Sequence, residues 1–431
     1  MTFSRSSYLE KMIASIGNGM VKIVTGPRRC GKSYLLFKIF KDWLLESGVQ
    51  EEQIVELKLD QAANIKYRNL DEFTSYFRSR KALDGKKKFF LIDEIQLVEK
   101  KDNPYVEGQK IGFYDSLNEF LDYEDVEIFV TGSNSHMLSS DIATEFRGRG
   151  WQIRVNPLTF RELKEAMPEK DAYALWDDYW RYGGLPACVS LSDEAEKRQY
   201  LHDVFLTTYL KDIADRNGLK DDTGLREITS LLASSVGSLL NPTRISNTFK
   251  TKEGRVISPN TVRRYISYLE DAFMVSSVRR YDLKGKETIG GSEKYYFNDM
   301  GIRNAAGGYK GLDQEPHFME NVIYNELSAR GYLVNVGTLT SVDRIGGKPV
   351  KVTREVDFVC EKEGCRFYVQ SAFLIDNDEK LAKEKSCFGR IKDNFKRVII
   401  SKYTSGTSYD EDGTLRLGLF DFLLDKNGIS H

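Results

Sequence analysis

The stretch "TGPRRCGKSYLL", residues 25–36, constrains this chain more than any other. Gly26, Gly31, Lys32 and Ser33 fit the spacing G-x-x-x-x-G-K-[ST]. Glycines let a turn of backbone approach phosphate oxygens. The loop N–H groups then point inward, and the N-terminus of the next helix adds positive potential. The pattern needs a strand before it and a helix after it. "VKIVT", Val21–Thr25, is a β-branched run. After it, Leu35, Leu36, Ile39, Phe40, Trp43 and Leu44 recur at helical spacing, and Gly48 suits a C-terminal cap. Gly26, Pro27, Arg28, Arg29, Cys30, Gly31, Lys32, Ser33 and Tyr34 are therefore the expected nucleotide-binding residues. Lys32 is expected to reach the β- and γ-phosphates and Ser33 to ligate Mg²⁺. Arg28 and Arg29 either add charge beside the pocket or are solvated loop charges.

A bound triphosphate also needs acid at the end of a central strand. "KKFFLIDEIQLV", residues 87–98, supplies a continuous apolar run that ends in Asp93 and Glu94. Asp93 is the expected metal carboxylate, and Glu94 the group that polarises the attacking water. A third strand, "VEIFVTGSNS", ends in Ser133 and Asn134, either of which is placed to sense the γ-phosphate. "FRGRGWQIRV" follows. Its Arg147 and Arg149 are candidates to stabilise charge on the transferred phosphoryl group, in their own site or a neighbouring subunit's, with Arg149 preferred.

These segments, with "FVTGSNSHML", "FRGRGWQIRVNPLTFRELKEA", "WRYGGLPACV", "KYYFNDMGIRNA" and "REVDFVCEKEGCRFYVQSAF", resemble the prokaryotic AAA-type P-loop ATPases that carry a winged-helix segment and a C-terminal domain of unknown function. The resemblance covers nearly the whole chain. It implies an ASCE-type α/β sheet of parallel strands with Glu94 as the catalytic carboxylate, then a helical and winged-helix middle, then a C-terminal α/β nuclease-like domain. The expected divisions are 1–156, 157–223, 224–300 and 301–431.

Composition agrees with a multidomain globular chain. Its 431 residues exceed one core's usual size, and it is 41% hydrophobic and 29% charged. No apolar run approaches the ~20 residues needed to cross a bilayer, and the N-terminus lacks a signal-peptide core. The expected location is the cytoplasm, with no membrane partner. The five cysteines read as reduced thiols rather than a zinc site. A net charge of −1 excludes a globally basic nucleic-acid binder but not a local basic surface.

One segment has such a local excess. Residues 241–290 contain ten Lys/Arg against five Asp/Glu. From residue 225 to 299, "LREITSLLASSVGSLL", "NPTRISNTF" and "SPNTVRRYISYLEDA" read as three helices, and "FMVSSVRRYD" with "KYYFND" as a hairpin. That is the order of a winged helix. Ser258 and Pro259 start the third helix. Val262, Tyr265, Ile266 and Leu269 fall on its apolar face, and Asn260, Arg263 and Arg264 on the other. These three are the candidate contacts to double-stranded DNA. The alternative is a solvated face or a protein-interaction surface. Upstream, "RYGGLPA" is read as a structural turn in preference to a hinge near the nucleotide.

In the last third, Glu320 lies on an expected helix, Glu355 and Asp357 on one strand and Gln370 on the next. Restriction-type nucleases hold Mg²⁺ with such an Asp and Asp/Glu/Gln and place a Lys two residues further on. Ala372 stands at that place, so the site reads as degenerate, with Lys380 or Lys383 the only local substitutes. The final stretch is expected to form strand, turn and strand. Three functions remain open from sequence: a DNA-associated ATPase using ATP and Mg²⁺, a nucleotide-gated switch with a protein partner, and an ATP-dependent nuclease.

Overall fold

Val21–Thr25 (β1) is buried at all five positions, which demands cover on both faces of its sheet. In the computed structural model this strand lies inside a parallel sheet with Ile54–Lys58 (β2), Lys88–Asp93 (β3), Val126–Gly132 (β6) and Gly150–Arg154 (β7), in the order β2-β3-β6-β1-β7. Lys101–Asp102 (β4) and Lys110–Ile111 (β5) form a short separate antiparallel pair. The structure describes residues 1–80, 85–132, 146, 148–254, 256–309, 314–345, 348–425 and 429. It divides into one unit of residues 1–157 with 271–273, and a second of 158–270 with 274–431.

Strand alternation splits the first unit's core in two. Phe90, Ile92 and Val130 meet Phe73, Phe77 and Phe120 on one face. Phe89, Leu91 and Phe129 meet Leu35, Leu36 and Phe40 on the other. The helix at Leu35 and Phe40 is the one that follows the glycine-rich loop, so burial of its apolar stripe fixes where the loop ends.

The second unit begins with helices at Phe160–Ala166 and Ala172–Tyr182, and a longer helical run spans residues 194–216. The "RYGGLPA" turn is structural. Gly184 N–H donates to Asp299 Oδ2 at 2.8 Å, and a Cβ on Gly183 would lie 2.4 Å from Asp299 Oδ1. Three helices follow, Thr223–Ser234, Pro242–Glu253 and Pro259–Asp271. The third is capped as its sequence demands, with Ser258 Oγ accepting from Thr261 N at 3.1 Å. Val262, Ile266 and Leu269 are buried, while Asn260, Arg263, Arg264 and Ser267 are exposed.

Val275–Asp282 (β8) and Glu287–Phe297 (β9) then form a hairpin. It belongs to an eight-stranded mixed sheet with Leu333–Ile345 (β10), Lys348–Lys362 (β11), Cys365–Ala372 (β12), Lys396–Ser401 (β13), Thr407–Tyr409 (β14) and Leu415–Gly418 (β15). The order is β14-β15-β13-β12-β11-β10-β8-β9. β8 runs parallel to β10, with Arg280 opposite Val336. The sheet is thus continuous across the division expected at 300/301. The last segment also departs from expectation. After β15, Leu419–Leu424 is a helix, because Leu419, Phe422 and Leu423 bury one face at i, i+3 and i+4.

Candidate functional site

The glycine-rich loop leaves the C-terminal end of β1. Gly26 has φ 138°, and a Cβ there would stand 1.9 Å from the Val155 carbonyl oxygen. Only glycine lets the loop lie directly on the chain that leaves β7. Arg29 (φ 65°) and Gly31 (φ 97°) are also left-handed, a backbone course that gathers successive N–H groups. Lys32 is buried, and its Nζ donates to the carbonyls of Gly26 at 2.9 Å and Pro27 at 2.8 Å. The N-terminal segment braces the loop from outside. Arg5 Nη2 donates to the Cys30 carbonyl at 3.4 Å and also to that of Asn156. Tyr8 Oη accepts from Asn156 N at 3.1 Å.

Asp93 and Glu94 sit at the C-terminal end of β3, between β2 and β6. Ser33 Oγ donates to Asp93 Oδ1 at 3.0 Å, and Thr131 Oγ1, at the end of β6, donates to the same oxygen. Burial raises the Asp93 carboxyl above its ordinary range, while the Thr131 and Ser33 hydroxyls pull it back. Glu94 departs from the strand in the left-handed region, φ 53°. Its N–H donates to Thr131 Oγ1 at 3.0 Å, and its Oε2 accepts from Gln96 Nε2. The hydroxyl and carboxylate of Ser33 and Asp93 are hard oxygen donors already in contact, a set suited to Mg²⁺.

The other expected residues are placed unevenly. Arg28 is half-buried, and Arg29 and Tyr34 are exposed. Ser133, Asn134 and Arg147 lie outside the described residues. Arg149 is not brought to this site. Its carbonyl accepts from Val21 N at 2.9 Å, which puts it at the start of β1, whereas the loop leaves the other end. Four strand rises, about 13 Å, separate the two edges. Its guanidinium faces Asp122 at 3.8 Å and is half exposed. Arg149 therefore cannot complete the site of its own chain.

In the second unit, Glu320, Glu355 and Asp357 do converge, and on a residue the sequence reading missed. Lys294 Nζ lies 2.8 Å from Glu320 Oε1, 2.5 Å from Glu355 Oε1 and 3.5 Å from Asp357 Oδ1. It is 1% exposed. Tyr296 Oη donates to Glu320 Oε1 at 2.6 Å, and Ser371 N donates to Asp357 Oδ2 at 2.9 Å. Gln370 lies beside them, its Oε1 accepting from Asp357 N at 3.4 Å. Burial, with Glu320 close by, pushes the Asp357 carboxyl up to about 7, and Lys294 pulls it down. The three carboxylates converge on the Lys294 ammonium. Among the described residues no group of three or more His, Cys, Asp or Glu is placed to bind a metal.

Comparison with known proteins agrees with this two-part layout. The AAA domain family matches residues 18–164, and a domain of unknown function (DUF8612) matches residues 173–315. An uncharacterised protein of Haemophilus influenzae is 33% identical over 412 residues, spanning 94% of this chain and 95% of its own length. The chain belongs to the same family as that Haemophilus influenzae protein. An uncharacterised protein of Methanocaldococcus jannaschii is 26% identical over 330 residues, spanning 73% of this chain and 68% of its own. Among solved structures, the Aeropyrum pernix ORC1 protein in complex with DNA aligns over 71% of this chain and 92% of its own at 13% identity, with a TM-score of 0.29.

The AAA domain match takes in the glycine-rich loop, Asp93, Glu94 and all five strands of the first unit's parallel sheet. It thus shows the N-terminal unit of this AAA-domain chain to be a P-loop NTPase fold of AAA type, consistent with nucleotide binding and hydrolysis. The DUF8612 match contains Lys294 but stops before Glu320, Asp357 and Gln370. Among the described residues no helix is long and apolar enough to cross a membrane. Lys294 left a weak trace in sequence, a lysine in "EKYYF" on the same strand face as the buried Tyr296. Arg149 left a stronger one. It immediately precedes a strand, and ligands of parallel sheets bind at the ends where strands finish.

Proposed function

We propose that this chain binds and hydrolyses ATP with Mg²⁺ and uses turnover to reposition its DNA-associated second unit. The observation that carries the reading is the Ser33–Asp93 hydrogen bond of 3.0 Å at the C-terminal edge of a parallel sheet, one residue from Lys32 and one from Glu94. In this reading the loop amides and Lys32 bind phosphates. Ser33 and Asp93 would hold Mg²⁺, which supplies charge neutralisation to the phosphates when bound. Glu94 accepts the proton of the attacking water. Asn134 senses the γ-phosphate, and Arg149 is assigned no step within its own chain.

The three helices and the β8–β9 hairpin are read as a winged helix whose Asn260, Arg263 and Arg264 face DNA. The last third is read as a nuclease-like fold without catalysis, because a buried ammonium fills the position that a metal-dependent nuclease needs open. A second reading, a nucleotide-gated switch with a protein partner, draws on one observation. The hairpin is built into the large sheet through β10 rather than projecting as a free wing.

Steady-state ATP hydrolysis, with and without duplex DNA, tests the proposal. Wild type should turn over faster with DNA. Glu94→Gln should lose at least ~100-fold in rate while still binding ATP. A rate indifferent to DNA favours the protein-partner switch. Absence of turnover at high protein concentration overturns the assignment of Glu94.

A further inference from the structure

The hairpin of β10 and β11 outruns its sheet. β8 pairs only with residues 336–338 of β10, and β12 only with residues 358–362 of β11. Beyond these, residues 339–345 and 348–354 pair with each other alone among the described residues. Six rises make this a two-stranded ribbon about 20 Å long. Past Leu339, which is buried at its root, it is not a core element. Arg344, Lys348, Pro349 and Lys351 are exposed, as are Val342 at 68% and Val350 at 40%. It is pinned across its strands by the Thr340–Thr353 hydroxyl pair at 3.1 Å and by Arg354 Nη1 donating to Ser341 Oγ at 2.9 Å.

Its charge is one-sided. Residues 339–354 carry Arg344, Lys348, Lys351 and Arg354 against Asp343 alone, in a chain of net charge −1. The register puts Arg344 and Lys351 on one face and Lys348 and Arg354 on the other, so a cation is available on either side. At the root, Leu283 N donates to the Thr338 carbonyl at 3.0 Å. That contact brings the exposed Lys284 and Lys286 of the β8–β9 turn to the same end, flanked by Asp282 and Glu287.

We propose that this ribbon is a contact surface for duplex DNA, with Arg344, Lys348 and Lys351 meeting phosphates. The inference rests on the DNA-associated reading above and adds to it a surface outside the three helices. Shape and charge choose the partner together. The major groove of B-form DNA, about 12 Å wide, admits a two-stranded ribbon, whereas the deep, narrow major groove of A-form RNA does not. A plainer role for lysine and proline on a free strand is to block pairing with another chain. That role accounts for Pro349 and one lysine. It does not call for four cations against one anion on both faces.

Equilibrium binding of a fluorescent duplex to the full chain, repeated at several salt concentrations, decides the matter. Lys348→Glu with Lys351→Glu should weaken binding at least ~10-fold and lower the slope of log K against log salt by about 2. Lys348→Gln and Lys351→Gln, each alone, should lower it by about 1, which keeps the test open if the double variant does not fold. A thermal melt followed by circular dichroism, expected to match wild type, reports folding of the unit that carries the ribbon. Wild-type affinity and slope in all ribbon variants, alongside loss in Arg263→Glu with Arg264→Glu, overturn the ribbon contact and leave the DNA reading standing. No binding by wild type overturns both. Self-association of the variants with unchanged DNA affinity assigns the lysines to edge protection, and tighter binding of RNA than of duplex DNA also overturns the proposal.

Discussion

Lys294 shows how one side chain can redefine a site. A buried ammonium among three carboxylates satisfies them only while it is present, since the buried Glu320 and Asp357 left alone bear their desolvation cost. Lys294→Met should therefore destabilise the chain by about 3–5 kcal/mol in urea unfolding, and adding Glu320→Gln should recover part of that. The pH response has a definite sign. Asp357 titrates at about 7 when folded, against about 3.9 unfolded. A carboxyl raised in this way contributes stability that is complete below about pH 4 and is lost between about pH 4 and 7, at about 1.4 kcal/mol per unit, with no further loss above 7. Unfolding free energies measured from pH 4 to 7 should fall accordingly and level off above 7, and Asp357→Asn should flatten that fall. At the loop, Gly26→Ala should abolish nucleotide binding in a filter or fluorescence assay, because its Cβ has no room against the Val155 carbonyl oxygen. The motif residues were legible because their chemistry is encoded in adjacent positions. Lys294 was not, because its partners lie on the 315–329 helix and on β11, and only long-range pairing brings them to it.

Elements were legible wherever local signals agreed with one another. The helix Pro259–Asp271 has a serine cap, a first-turn proline and an apolar stripe, and all three are used. Leu269 is fully buried, so Leu269→Ala should cost about 2–5 kcal/mol by chemical denaturation. Arg263→Ala, on the exposed face, should change stability by less than about 0.5 kcal/mol. That contrast separates a surface kept for binding from one kept for folding. Elements were misread where pattern and packing diverged. In "GLFDFLL", period 2 and period 3.6 both place apolar residues acceptably. Burial of Leu419, Phe422 and Leu423 together decides for helix. The hairpin was found, but its pairing to β10 was hidden, since nothing in either strand's own sequence states which distant strand lies beside it.

At the scale of the whole molecule, that hidden pairing decides what can fold alone. A division at 300/301 looks natural in sequence, where a basic helical segment gives way to nuclease-like strands. In the structure it removes β8 and β9 from one end of an eight-stranded sheet. It strips β10 of its parallel neighbour and takes Lys294 away from Glu320, Glu355 and Asp357. A fragment of residues 301–431 would then expose a long strand edge and leave the buried Glu320 and Asp357 and the half-buried Glu355 without their cation, two faults that act in the same direction. Such a fragment should aggregate or lack a cooperative transition. Residues 158–431 retain the hairpin, the cluster and the helices before it, and should unfold in a single sigmoidal transition followed by circular dichroism. If residues 301–431 instead melt cooperatively and stay monomeric, the hairpin is an ornament on a self-sufficient sheet. Lys294 would then not be the cation on which that sheet depends.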